Sequence, residues 1–175
     1  MAYCNQTLAG IQLDCTTSQG GIKSVWLCNY GDITKVEKDE STGFITGITM
    51  SGSAVFHAYQ FRKNTGSMNS TLTADETNGV NFVKTDLSLV FTKMETAKRI
   101  EMSALAIGQL AAIVLDSNGH YWMMGDEDYV SASAGASETG TAKTDRNAYT
   151  LTLSTESSTF PYEIKESVIE TLGLK

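Results

Sequence analysis

The stretch DSNGHYWMMGDED, residues 116–128, decides how the whole chain is read. Its carboxylates, lone histidine and glycines are the residue types of a metal or catalytic loop. The same letters also describe a tight β-hairpin with a polar tip. Asn-Gly between two apolar runs, here AAIVLD (111–116) and YWMMG (121–125), is the strongest short-range hairpin signal, because a type I′ turn needs positive φ at both central positions. A calcium loop of the EF-hand kind needs oxygen ligands at fixed offsets and a closing glutamate, and this stretch supplies aromatics and methionines there instead. The hairpin reading prevails, with Asp116 and His120 at the tip and Tyr121, Trp122 and Met123 running back into a sheet.

Outward from that hairpin, period-2 patterns dominate. In GIKSVWLCNY (21–30), Ile22, Trp26, Cys28 and Tyr30 share one face, and Lys23 and Asn29 the other. FITGITM (44–50) and SAVFHAYQF (53–61) are β-rich runs joined by Ser-Gly and predict a hairpin over 44–61. In VNFVKTDLSLVFTK (80–93), Val83, Leu87, Leu89 and Phe91 oppose Lys84, Asp86, Ser88 and Thr92; fully extended, that run reaches about 45 Å at about 3.3 Å per residue. NAYTLTLSTES (147–157) puts Tyr149, Leu151 and Leu153 on one side. These are half-buried strands of antiparallel sheets.

One segment breaks the period. METAKRIEMSALAIGQL (94–110) is rich in helix formers, with Ile100, Ala104 and Ile107 at i, i+4 and i+7. It predicts a helix over about 95–108, with Thr96 as N-cap and Gly108 as its stop. Two polar, turn-rich tracts, 62–79 and 126–146, read as long loops that order only on assembly. The C-terminal PYEIKESVIETLGLK continues as a short helix or an extended arm.

The 175 residues fit one domain, 1–175, with a single proline, Pro161, and 15 glycines, a mixture suited to many strands joined by Gly, Asn and Asp turns. The expected fold is α+β, mainly antiparallel β: a sandwich or barrel with one flanking helix. Net charge is −7 and no basic run exceeds AKR (97–99), which argues against gripping nucleic acid or docking on anionic membranes. Cys4, Cys15 and Cys28 are odd in number and form no CxxC, so buried free thiols are expected rather than disulfides or zinc. MAYCNQTLAG (1–10) lacks the regions of a signal peptide, and ALAIGQLAAIVL (104–115) is too short to span a bilayer.

No catalytic constellation emerges. The only histidines are His57, within a predicted strand, and His120, at a turn. GASET (135–139) is not a nucleophile elbow, and the acidic trio Asp126, Glu127 and Asp128 has no groove motif beside it. Neither a phosphate loop nor a dinucleotide fingerprint is present. The expectation is a protein that is not an enzyme, with no cofactor and no metal. Strands with apolar residues on both faces, at Val55, Phe56, Tyr59 and Phe61, suggest an oligomer interface built on those four residues.

The block LSLVFTKMETAKRIEMSALAIGQLAAIVLDSNGHYWMMG (87–125), followed by SETGTAKTDRNAYTLTLS (137–154), resembles a family of virion structural proteins from tailed phages and prophages of Bacteroidetes. The elements that carry the resemblance are Lys93, Met94 and Glu95; Asp116, Asn118, Gly119, Tyr121, Trp122 and Gly125; and Asp145, Arg146, Asn147 and Tyr149. They cover about half the chain, and the first 80 residues match in style alone. The resemblance implies a tail-tube-like sandwich or barrel with a flanking helix and a long hairpin or loop, made in the bacterial host cytoplasm and placed in the virion tail. It implies a subunit of homo-oligomeric rings, in a tail tube or a tail ring or connector. Its partners would be copies of itself, other tail or portal-proximal proteins, and DNA passing the lumen without specific binding. The rival readings are a monomeric carbohydrate- or ligand-binding β-domain of a fibre or surface protein, using Tyr121 and Trp122, and a small hydrolase using His57 or His120.

Overall fold

A computed structural model of the chain describes residues 8–174; Cys4 lies outside them. Eleven strands, numbered in chain order, form two sheets. The larger sheet contains β1 (Ile22–Asn29), β2 (Ile33–Asp39), β3 (Phe44–Met50), β4 (His57–Tyr59), β7 (Leu110–Asp116), β8 (Tyr121–Met124) and β11 (Glu163–Ile164), ordered β2-β3-β11-β8-β7-β1-β4. The smaller contains β5 (Ser67–Asp75), β6 (Val80–Thr92), β9 (Ser131–Glu138) and β10 (Ala148–Ser157), ordered β5-β6-β10-β9. All pairings are antiparallel except β3 with β11. Neither sheet closes on itself, so of the two expected architectures the chain adopts the sandwich. Among the described residues there are two helices: α1 (Thr96–Ile107), the flanking helix expected, and α2 (Glu166–Leu172), the short-helix form of the C-terminal segment.

Between the sheets lies one apolar layer. Val25 and Leu27 of β1 and Ala112 and Val114 of β7 face Leu87, Leu89 and Phe91 of β6 and Leu151 and Leu153 of β10. A second layer covers the opposite face of the larger sheet, where Trp26, Cys28, Ala111, Ile113 and Met123 pack beneath Val168 and Ile169 of α2 and Leu174. β1 and β7 are therefore buried on both faces, which is why VWLC and LAAIV are unbroken apolar runs. Strict alternation grouped Ile22 with Trp26, Cys28 and Tyr30. A bulge between Ile22 and Ser24 turns Ile22 into the inter-sheet layer instead, since one extra residue exchanges the faces of a strand.

The β7–β8 hairpin forms where Asn-Gly predicts it, but not with a type I′ turn. Of its central residues only Gly119 has positive φ, at 98°. Asp116 N–H donates to the His120 carbonyl at 3.0 Å, and Gly119 N–H to the Asp116 carbonyl at 3.4 Å, the pattern of a three-residue loop closed by a glycine bulge.

Four further expectations are corrected. The 44–61 hairpin does not form: β3 pairs with β2 through a turn at 40–43, and 53–61 contributes only the short β4, paired with β1. The tracts 62–79 and 126–146 are not wholly loops, because they contain β5 and β9. β9 reads SASAGASE, whose small residues show no apolar face; pairing with β10 makes it a strand. Cys15 is exposed, whereas Cys28 is buried as expected. In α1, Thr96 is the first helical residue and Glu95 the cap position, with Gly108 the stop as expected.

The face of α1 is also reversed. Ile100 and Ile107 are 59% and 89% exposed, while Leu105 is buried and Met102 packs on the inter-sheet layer. Two stripes of equal spacing run along opposite sides of this helix, so periodicity alone does not choose between them. The entry chain chooses: Lys98 Nζ donates to the carbonyls of Thr92 at 2.7 Å and Lys93 at 3.3 Å, turning Met102 and Leu105 inward with it. Leu105→Ala is expected to destabilise the protein by about 2–5 kcal/mol and Ile107→Ala by about 0.5 kcal/mol or less, measured by urea unfolding; equal losses would contradict this orientation.

Candidate functional site

The residues that looked most like chemistry are held by local structure. Asp116 Oδ1 accepts the backbone N–H of Asn118 at 2.8 Å and of His120 at 2.9 Å, and Oδ2 accepts the Trp122 indole N–H at 3.1 Å. Burial pushes this carboxyl up, but those donors outweigh it and hold the group below the usual aspartate range. His120 Nδ1 lies 2.6 Å from Glu163 Oε1, tying the hairpin to β11. That hydrogen bond, then the glutamate's charge, raise the histidine above its ordinary value. The neighbouring Ser117 donates its hydroxyl to the Gly21 carbonyl at 3.0 Å, so Asp116, Ser117 and His120 serve the turn and its anchorage. His57 lies on β4, at the edge of the larger sheet.

The acidic trio is likewise absorbed. Lys38 Nζ bonds Asp126 Oδ2 at 2.7 Å and approaches Glu127 Oε1 to 3.7 Å. Burial disfavours the lysine's charge, yet Asp126 and Glu127 more than restore it and its pKa is raised. Glu127 accepts both the N–H and the hydroxyl of Ser158 at 2.7 Å. Asp128 accepts the Tyr129 N–H at 2.8 Å through its side chain. Among the described residues, no group of three or more His, Cys, Asp or Glu side chains is placed to hold a metal ion. Tyr121 and Trp122 are half-buried; the Tyr121 ring packs 6.1 Å from Trp26, and these two rings line an open cleft of about 330 Å³ with Tyr59 and Phe61.

The motif residues near the β9–β10 turn meet those at the start of α1. Asn147 accepts the Lys93 N–H through its carbonyl at 2.8 Å and the Met94 N–H through Oδ1 at 2.7 Å. Asp145 Oδ2 accepts the N–H groups of Thr141 and Ala142, each at 2.7 Å. Lys93, at φ 68°, is one of two non-glycine residues with positive φ among the described residues. The two motifs are thus halves of one corner, where β6 leaves the sheet and α1 begins.

The four residues expected to form an interface do not make one surface. Val55 is 56% exposed, whereas Phe56 is buried beside Trp26 and Cys28. Tyr59 and Phe61 are half-buried against the inter-sheet layer, and the Tyr59 hydroxyl donates to Glu101.

Sequence reading missed the surfaces that are open. The smaller sheet ends in β5 on one side and β9 on the other. Neither strand carries lysine, arginine or proline, and each has its one acidic residue at its last position, Asp75 and Glu138. Edge strands are ordinarily guarded by such residues, by bulges or by shortness. The larger sheet has most of those guards: β2 carries Lys35, Glu37 and Lys38 with two register shifts, and β4 is three residues long, whereas the smaller sheet's edges have one register shift, at Ser133 of β9. Beside β9 runs a groove of about 470 Å³, with Arg99, Met102 and Ala106 of α1 on one wall and Ala132, Gly135 and Ser137 on the other. The far part of the β5–β6 hairpin runs past the core and leaves Leu72 51% and Val80 43% exposed. In the sequence, the low charge of SMNSTLTAD and SASAGASE was the available signal.

No protein-family profile matches the chain, and no curated protein matches it in sequence. Among the described residues, no helix is long and apolar enough to cross a membrane.

The His120–Glu163 pair carries a pH dependence. Because the histidine's folded pKa is raised, its stabilisation is complete below the unfolded value of about 6.5 and is lost as pH rises through the folded value. The His120 side chain is 51% exposed, so solvent screening holds the effect below about 1 kcal/mol. His120→Gln is expected to lower the urea midpoint near about pH 5.5 and to leave it unchanged near about pH 9; a pH-independent difference would contradict the pairing.

Proposed function

We propose that this protein is a structural subunit of a tailed-phage virion, forming a homo-oligomeric ring of the tail tube or of a tail ring or connector. In this reading the four-stranded sheets join edge to edge into a wall around the DNA passage. The observation that carries it is the pair of edges on one sheet that hold no lysine, arginine or proline and between them a single bulge, at Ser133 of β9. Four strands in antiparallel alternation leave β5 and β9 running in opposite directions. When one copy's β9 meets the next copy's β5 in the same orientation, the joint is antiparallel again, and one rotation repeated closes a ring.

Side-chain placement supports the same joint. Met68 pairs with Leu87 and Leu72 with Val83, so Leu72 projects toward the inward side of the sheet. An incoming β5 would lay Leu72 over the groove between β9 and α1. The opposite face of the sheet presents Lys84, Asp86, Thr150, Thr152, Ser154 and Glu156, and would line the lumen. Uncharged hydroxyls and a Lys84–Asp86 pair at 3.6 Å offer phosphates no continuous basic track. The long β5–β6 hairpin and the corner joining Lys93 and Met94 to Asn147 are consistent with the resemblance to tail-tube-like proteins.

Thr71→Lys with Thr73→Lys places two charges on an exposed stretch of β5. The double variant is expected to stay folded, with unfolding free energy within about 1 kcal/mol of the parent, and to form no rings in negative-stain images across a concentration series. Rings of unchanged yield would overturn the edge-to-edge wall.

A further inference from the structure

Two apolar surfaces have no partner once the sandwich is assembled. One is the segment LAGIQLDC (8–15), in which Leu8, Ile11 and Leu13 are 89%, 103% and 93% exposed. The other is the outward stripe of α1, Ala97, Ile100, Ala104 and Ile107, in which Ile107 is 89% exposed. Among the described residues no other large hydrophobic side chain is more than 59% exposed, so these two surfaces hold the four most solvated apolar groups. We infer that residues 8–15 of one copy dock, extended, along the outward stripe of α1 on a second copy.

The shapes agree. In an extended chain Ile11 and Leu13 fall on one side, about 6.6–6.8 Å apart. Along α1, Ile100 and Ile107 stand about 10 Å apart in rise with Ala104 between them, leaving a notch that one branched side chain fills. Charge agrees as well. Asp14 is the one charged residue between 8 and 15, and Arg99, which flanks the stripe from the groove side about 100° round the helix from Ile100, has no ion pair among the described residues. Asp14 already accepts the N–H and hydroxyl of Thr16 at 2.9 and 2.8 Å, which turns the chain just beyond the apolar residues.

Within its own chain the segment stands clear of α1. It leaves the body at Gln19, whose N–H donates to Asn118 Oδ1 at 2.8 Å, on the tip of the β7–β8 hairpin. That tip lies about 20 Å along β7 from Leu110, the end into which α1 leads. The contact rests on the ring-forming reading only in needing a second copy, since β5 and β9 take no part in it.

Disulfide trapping between copies tests the inference in the full-length chain with Cys4 and Cys15 replaced by serine. Cys28 does not compete: it is buried, and burial together with nearby Asp32 pushes its thiol up to about 12. Ile11→Cys and Ala104→Cys proteins, purified separately and mixed under mild oxidation, are expected to form a linked heterodimer. Its yield should fall about tenfold when Ile107→Asp is added to the Ala104→Cys protein, with the unfolding midpoint unchanged. A heterodimer no more abundant than that from Ile11→Cys with Val55→Cys would overturn the inference. So would a chain carrying both Ile11→Cys and Ala104→Cys that closes only on itself. Repeating the mixture with Thr71→Lys and Thr73→Lys present separates the two proposals: a heterodimer without rings leaves this contact standing, and rings without a heterodimer remove it alone.

Discussion

The β1–β7 pair is the constraint on which the rest depends. Its residues alternate between two apolar layers, so both faces of the pair must be covered, and no single sheet or helix can do that. The four-stranded sheet covers one face with Leu87, Leu89, Leu151 and Leu153. The C-terminal segment covers the other with Ile164, Val168, Ile169 and Leu174. This arrangement explains why a chain that is mostly sandwich ends in a helix: α2 closes the layer that the second sheet cannot reach. The bulge at Ile22 belongs to the same solution, because it sends one more large side chain into the inter-sheet layer.

Polar residues then fix the corners. Asp116 organises the β7–β8 turn, Asp126 and Glu127 clasp Lys38 and Ser158, and Asn147 binds the two amides at which β6 turns into α1. Each of these groups accepts N–H or ammonium donors at a corner of the fold, at about 0.5–1.5 kcal/mol net per hydrogen bond. Asp116 and Glu127, so engaged, are held below the usual carboxylate range. Such contacts hold the ends of long strands in register.

What the fold leaves open follows from what it closes. The larger sheet is guarded at its margins by charge, register shifts and shortness, whereas the smaller sheet's edges carry no lysine, arginine or proline and one register shift, in β9. Apolar area concentrates on the β5–β6 hairpin, the outer side of α1 and residues 8–15, all outside the two buried layers. A protein that kept such surfaces in water would bear a standing hazard of association. In the proposed assembly, directed heterologous pairing between copies would turn that hazard into a wall of defined polarity.

The sequence by itself determined the fold class, the alternating faces of β6 and β10, the extent of α1 and the position of the β7–β8 hairpin. Each depends on local periodicity or on a turn residue within a few positions. It also placed Asp116 and His120 at the tip of that hairpin, because Asn-Gly is a local signal. Only the tertiary structure decided which stripe of α1 faces inward, since Ile100/Ala104/Ile107 and Lys98/Met102/Leu105 have the same spacing and the exit of β6 chose between them. It alone made strands of Ser67–Asp75, in which Met68 and Leu72 are the two large apolar residues, and of Ser131–Glu138, whose small side chains carry no pattern; both take their conformation from β6 and β10. It alone put Phe56 in the core while leaving the neighbouring Val55 outside. The reason is common to all three: periodicity states which residues share a side, and only packing against a distant segment states which side is buried.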